Sequence, residues 1–172
     1  MEIGCYRPGD GTSLFRAVQE SLASLEPWMP WVANHQTAED SEEVVRRCMA
    51  RWIERTDLTM GMWRREDGFY LGGTGLHRMD WQAGVFEIGY WIRTSAEGQG
   101  YVTEAVRRLA AFAFEELDAQ ILLIKCAPGN VRSIAVAERC GFKPVPGDVS
   151  TTCPGSSEPS LVFELRRAED GE

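Results

Sequence analysis

Apolar residues near the start of the chain recur at helical spacing. Leu14, Val18, Leu22 and Leu25 lie four, four and three apart, which predicts a helix over Ser13–Leu25 ended by Pro27. Glu2–Arg7 reads as a short strand before it, set off by the turn signal Pro8-Gly9-Asp10-Gly11. Thr37-Ala38-Glu39-Asp40 resembles a capping box with Asp in place of Glu, opening a helix that runs to about Arg55. Strands follow at Leu58–Arg64, Gly68–Met79 and Val85–Arg93, with Gly72, Gly73 and Gly75 implying a bulge or a close backbone approach. Helical periodicity returns over Gln99–Leu117, where Val102, Val106, Leu109, Ala113 and Leu117 share one face. Ile121–Ala127 is a continuous apolar run fitting a buried strand. Asn130 then caps a helix through Arg139, with Gly141 at its end. Phe142–Val145 and Leu161–Arg166 complete the strands around a Gly/Ser/Pro-rich loop from Pro146 to Ser160. This order predicts an α+β fold: one mixed, mostly antiparallel twisted sheet flanked by helices, with all 172 residues in a single domain.

Composition narrows the function. Eighteen Lys and Arg stand against 26 Asp and Glu, a formal charge of −8, which disfavours direct nucleic-acid binding because no basic excess is available to displace phosphate counterions. The same charge suits a cationic acceptor, although it also simply keeps a protein soluble. The five cysteines are scattered, without a CxxC pair or a Cys/His cluster, so neither a disulfide framework nor a metal site is expected. No stretch approaches the roughly 20 apolar residues of a membrane span, and the first residues show no basic-then-apolar leader. The expected setting is cytoplasmic and reducing.

One segment carries chemistry. Phe86–Arg93, Thr94–Gly98 and Gln99–Ala105 read as strand, glycine loop and helix start. Such a junction gathers unpaired backbone N–H groups at the positive end of a helix dipole, a binding site for a pyrophosphate. No Gly-Lys-Ser/Thr closes the loop, and no GxGxxG follows an N-terminal strand, so neither a P-loop nor a dinucleotide fold fits. Taken alone, Gly98-Gln99-Gly100 could be no more than a tight connection.

Four stretches in this order resemble the GCN-five-related N-acetyltransferases (GNAT), specifically the RimJ/RimL type that acetylates ribosomal-protein N-termini. They are Leu25–Trp31, Glu87–Ile92, Gly98–Ala105, and Asn130–Ser133 followed by Cys140-Gly141-Phe142. The resemblance covers nearly the whole chain. It departs at both ends of the phosphate motif, with Glu97 in place of Gln/Arg and Val102 in place of Gly/Ala. A negative charge there would oppose phosphate, so the Glu97 side chain is expected to point to solvent.

The resemblance implies acetyl-CoA as donor and no metal. It places the acyl arm along Trp91 and Ile92, the phosphates at Gly98, Gln99, Gly100, Tyr101, Val102 and Thr103, and Asn130 against the arm. Asn130 reads equally as a helix N-cap, and the two roles are compatible. Glu87 is the candidate base, against a plain structural glutamate, because an acceptor amine must lose a proton before or during attack. Ser133 is the candidate acid for the leaving thiolate, against an ordinary first-turn residue. Trp28 and Trp31 wall the acceptor pocket or pack the first helices. His77 reads as an exposed strand residue, His35 as a loop residue, and Cys126 and Cys140 as buried apolar side chains. A protein N-terminal α-amine, a small cationic amine such as an aminoglycoside, polyamine or aminoacyl-nucleotide, and a non-catalytic acyl-CoA-binding module all remain open. A homodimer is also allowed, since relatives of this type often pair.

Overall fold

The computed structural model describes residues 1–146 and 160–168. The loop expected over Pro146–Ser160 therefore lies outside the described residues, apart from its two ends.

Seven strands form one sheet: β1 (Glu2–Cys5), β2 (Leu58–Trp63), β3 (Tyr70–Asp80), β4 (Val85–Ile92), β5 (Ile121–Cys126), β6 (Lys143–Pro144) and β7 (Leu161–Arg166). Their spatial order is β1-β2-β3-β4-β5-β7-β6, and every neighbouring pair is antiparallel except β4 with β5. Four helices flank it: α1 (Gly11–Leu25), α2 (Ala38–Glu54), α3 (Tyr101–Glu116) and α4 (Val131–Arg139). A 3-10 turn at Pro30–Asn34, not anticipated from the sequence pattern, joins α1 to α2. The helix start at Thr37 is a complete capping box: Thr37 Oγ1 accepts from the Asp40 N–H at 3.0 Å, and Asp40 Oδ2 accepts from the Thr37 N–H at 2.9 Å.

Alternation along the strands gives the sheet two packed faces. Leu58, Met60, Leu76, Phe86, Ile88, Leu122 and Ile124 face α3 and α4, meeting Val106, Leu109, Ala113 and Ala137. Tyr70 and Trp91 face α1 and α2, meeting Tyr6, Leu14, Val18 and Val45, with Trp63 and Trp31 packed against them. Gly73 belongs to this second face because a Cβ there would come within 2.5 Å of Trp91 Nε1.

Two irregularities shape the site. First, β4 and β5 pair only at Val85↔Ile121, Phe86↔Leu122 and Glu87↔Leu123. β4 continues through Ile92 against β3 and β5 continues through Cys126 against β7, so the two strands part beyond Glu87. The Gly84 carbonyl accepts from Ile121 N–H at 3.1 Å on the β5 side, whereas the Arg93 N–H donates to Leu71 O at 2.8 Å on the β3 side. Backbone alternation therefore turns the polar groups of Tyr90 and Ile92 into the opening and those of Gly89 and Trp91 towards β3.

Second, β3 carries a bulge between His77 and Asp80, with Arg78 at φ 45°. Leu76 and Met79, three residues apart, both pack on the α3/α4 side. The extra residue thus puts His77 and Arg78 together on the α1/α2 side.

Candidate active site

The opening between β4 and β5 has two walls of different chemistry. On the α3/α4 side, a 3-10 turn at Thr94–Ala96 leads into Gly98 and Gly100, both with positive φ (74° and 82°), and then into α3. The first intrahelical bond here is Glu104 N–H to Gly100 O at 3.0 Å, so the N–H groups of Tyr101, Val102 and Thr103 have no acceptor within the helix. A Cβ at Gly98 or Gly100 would meet nothing within 4 Å, so both glycines border open space. Gln99 is tied to the loop by its side-chain amide, which donates to Ser95 O at 3.3 Å.

Facing this turn is the start of α4. Asn130 Oδ1 accepts from Ser133 N–H at 3.1 Å, an N-cap as the sequence allows. The Tyr90 hydroxyl lies 2.9 Å from Ser133 Oγ and 3.2 Å from Ser133 O. Burial pushes the Tyr90 phenol well above its ordinary value, and the Ser133 hydrogen bond offsets this only in part, so the phenol holds its proton. Glu97 does not simply point to solvent: it pairs with Arg132 of α4, which cancels the charge that would oppose an anion at this turn.

The opposite wall is made of side chains. Glu87 is only 12% exposed; Arg78 donates to its Oε1, and Lys125 Nζ lies 3.3 Å from Oε2. That approach balances charge without reaching hydrogen-bond geometry, leaving Oε2 a buried acceptor without a hydrogen bond. Trp28 is 40% exposed and lies against the Ala127–Asn130 turn, where a Cβ on Gly129 would sit 3.5 Å from its ring. Trp31 instead packs inward, its ring centroid 5.6 Å from Trp91 and 5.4 Å from His35. The side chain of Trp91 is likewise buried in the α1/α2 core.

This geometry has a counterpart among known proteins. The model of the acetyltransferase (GNAT) domain matches residues 6–143, well over half of the chain. The chain belongs to the GNAT acetyltransferase family. Over 141 residues it is 32% identical to YdaF of Bacillus subtilis (strain 168), whose name carries a provisional ribosomal N-acetyltransferase assignment; the match covers 81% of this chain and 76% of YdaF. Solved structures share the fold. The microcin C7 self-immunity acetyltransferase MccE, in complex with acetyl-CoA and AMP, superposes with a TM-score of 0.86 at 20% identity, covering 96% of this chain and 91% of that one. RimL, the ribosomal L7/L12 α-N-protein acetyltransferase in complex with CoA, gives 0.85 at 18%, covering 95% and 92%.

Within this GNAT enzyme, sequence reasoning missed the group beside Glu87. His77, the register partner of Glu87, is not a freely exposed strand residue: its side chain is 27% exposed and its Nδ1 lies 2.8 Å from Asp57 Oδ2. Thr59 donates to the other Asp57 oxygen. Burial acts to raise the Asp57 carboxyl, but the hydrogen bond and charge of His77, together with Thr59 and Arg51, outweigh it and hold the group below its ordinary value. Among the described residues no set of three or more His, Cys, Asp or Glu could hold a metal, and no helix is long and apolar enough to cross a membrane. Cys126 is buried, Cys140 half-buried, and His35 is a buried loop residue bonded to Ser41 Oγ at 2.8 Å.

Proposed function

We propose that this acetyltransferase moves an acetyl group from acetyl-CoA to the α-amine of a protein N-terminus of the ribosomal-protein kind. The observation that carries this reading is the parting of β4 from β5 beyond Glu87 and Leu123, which opens unpaired backbone beside the free N–H groups of α3. The residues present fit the donor. Tyr90 and Ile92 offer backbone groups to an amide-bearing arm, and Gly98, Gln99, Gly100, Tyr101, Val102 and Thr103 offer N–H groups to phosphates. Trp91, expected along the arm from its place in the motif, supports the strand from the core side instead. The donor supplies an acyl group activated as a thioester.

The chain's own groups supply the rest. Ser133 Oγ, backed by the Tyr90 hydroxyl, holds a proton at the start of α4, where the leaving sulfur needs one. On the other wall Glu87, ion-paired with Arg78 and Lys125, brings a carboxylate to the acceptor side of the opening, where it orients the amine through the charge it holds there. Trp28 bounds the entrance. Leu123, Lys125 and Glu164 continue this side-chain wall along β5 and β7. The ribosomal acetyltransferase names of the relatives support the same choice.

Thiol release from acetyl-CoA with a panel of amines tests this. Peptides with a free N-terminus are expected to be acetylated and the same peptides blocked at the α-amine to be inert. Turnover confined to polyamines, aminoglycosides or aminoacyl-nucleotides would overturn the acceptor assignment, and donor binding without turnover on any amine would overturn transfer itself.

A further inference from the structure

We propose that His77, held by Asp57 and Thr59, is the group that takes the proton from the acceptor amine, and that Glu87 orients that amine rather than deprotonating it. This inference rests on the transfer reading above. Three observations lead to it.

The first is the state of Glu87. Its Oε1 is held by Arg78 and its Oε2 lies 3.3 Å from Lys125 Nζ. A proton taken there would leave a neutral acid between two cations that the carboxylate now balances. The bulge at Arg78 is what brings the first of these cations to the α1/α2 face, so β3 bends to keep Glu87 ion-paired.

The second is the orientation of the imidazole. A carboxylate only accepts, so His77 Nδ1 is the nitrogen that carries hydrogen towards Asp57, and the lone pair of the neutral ring lies on Nε2. Asp57 is itself fixed by Thr59 on its other oxygen. Base, orienting carboxylate and a third group behind them form the arrangement that a proton acceptor needs. Among the described residues Nε2 makes no hydrogen bond, and it is not among the atoms sealed from solvent without a partner.

The third is where Nε2 lies. A Cβ at Gly89 would come within 2.8 Å of both His77 Nε2 and Cδ2, and one at Gly75 within 3.0 Å of Cε1. The ring therefore lies over two glycines with its Nε2 edge above Gly89. Gly89 is two residues past the last β4–β5 pair, where the strands have parted. Glycine here makes room for the imidazole at the acceptor side of the opening. The charged and titratable groups around the ring and its Asp57 partner are Asp57 before β2, Arg78 on its own strand, Glu87 on β4, Lys125 on β5, and Arg51 and Cys48 on α2.

The step balances without a further reactant. The amine nitrogen forms a bond to the acyl carbon as the carbon–sulfur bond breaks, with its electron pair leaving on sulfur. The amine proton passes to His77 Nε2, and a proton from the Ser133–Tyr90 pair goes to sulfur; solvent water then takes the proton from His77 and returns one to the pair.

Two histidines in the chain make a direct test practicable. Nitrogen-15 NMR of histidine-labelled protein, assigned with His77→Gln, is expected to show the neutral His77 ring protonated at Nδ1. In thiol-release assays with acetyl-CoA and N-terminal peptides, His77→Gln is expected to lower kcat/KM about 100-fold, the usual order for removing a general base. It should leave the KM for acetyl-CoA unchanged and remove the acidic limb of the pH profile, while added imidazole restores rate to His77→Ala. A neutral His77 protonated at Nε2 would overturn the proposal. So would His77→Gln with full kcat/KM and an unchanged profile while Glu87→Gln loses both. A wild-type enzyme that transfers to no amine would bring down the transfer reading and this inference with it. Transfer by the wild type that survives His77→Gln brings down this inference alone.

Discussion

The two walls of the β4–β5 opening are built from different materials. The α3/α4 wall is mostly backbone: helix N–H groups, glycines at positive φ and the strand edge of Tyr90 and Ile92. The α1/α2 wall is side chains joined across strands: Asp57 to His77, Arg78 and Lys125 to Glu87. A backbone wall suits a donor that is the same in every turnover, because amide groups read phosphates and peptide-like arms whatever the local side chains. A side-chain wall can be retuned for each acceptor without disturbing the donor.

That division should show in mutants that strike one wall and spare the other. The largest effect is expected from Gly89→Val. Its side chain would enter the space of the His77 edge, so peptide acetylation should fall about 100-fold while acetyl-CoA binding by calorimetry stays near wild type. Gly100→Val strikes the opposite wall. Its Cβ meets no protein atom, so the fold should survive apart from about 1–2 kcal/mol of left-handed strain, read from the melting curve. Acetyl-CoA affinity should drop about 10- to 100-fold, the loss of one or two hydrogen bonds to a charged group.

Tyr90→Phe touches the junction of the walls. Losing the hydroxyl that meets Ser133 Oγ and Ser133 O should cost roughly 5- to 10-fold in kcat, and combining it with Ser133→Ala should add little, because the two hydroxyls act through their shared bond. Full kcat in Ser133→Ala would exclude it as the acid. The smallest effect concerns the scaffold. Arg93, at the end of β4, donates to Glu20 of α1, and this hydrogen bond lowers the Glu20 carboxyl to about 2 despite the opposing cost of burial, with Ser95 assisting. A depressed carboxylate stabilises the fold above the ordinary glutamate range and loses that contribution as pH falls towards about 2. Acid unfolding followed by circular dichroism should therefore show a shallower loss of stability in Glu20→Gln over that window.

The same division explains what the sequence revealed. Local signals were legible: Thr37 and Asp40 formed the capping box, and the apolar stripe from Val102 to Ala113 fell on the buried face of α3. The backbone wall was legible too, because its glycines and helix start lie close together in the chain. On the side-chain wall Glu87 and Trp28 stood out in the sequence, but the groups joined to Glu87 did not. Asp57 and His77 are 20 residues apart and meet only because β2 and β3 pair in the observed register. Arg78 reaches Glu87 only because a bulge breaks the two-residue alternation. The sequence carried one sign of that bulge: Leu76 and Met79 are spaced by three in a strand otherwise alternating by two. Trp28 and Trp31 looked equivalent in one aromatic loop, yet the 3-10 turn at Pro30 sends Trp31 into the core and leaves Trp28 at the entrance.

A crystal structure with CoA and a peptide amine tests the two-wall division most directly. The arm is expected in the opening beside the Tyr90 and Ile92 backbone, with its phosphates at Gly98–Thr103. The amine should lie across β4, within hydrogen-bond reach of His77 Nε2 and on the Glu87 side of the opening. An arm bound elsewhere, or an amine held on the α3/α4 side away from His77, would contradict it.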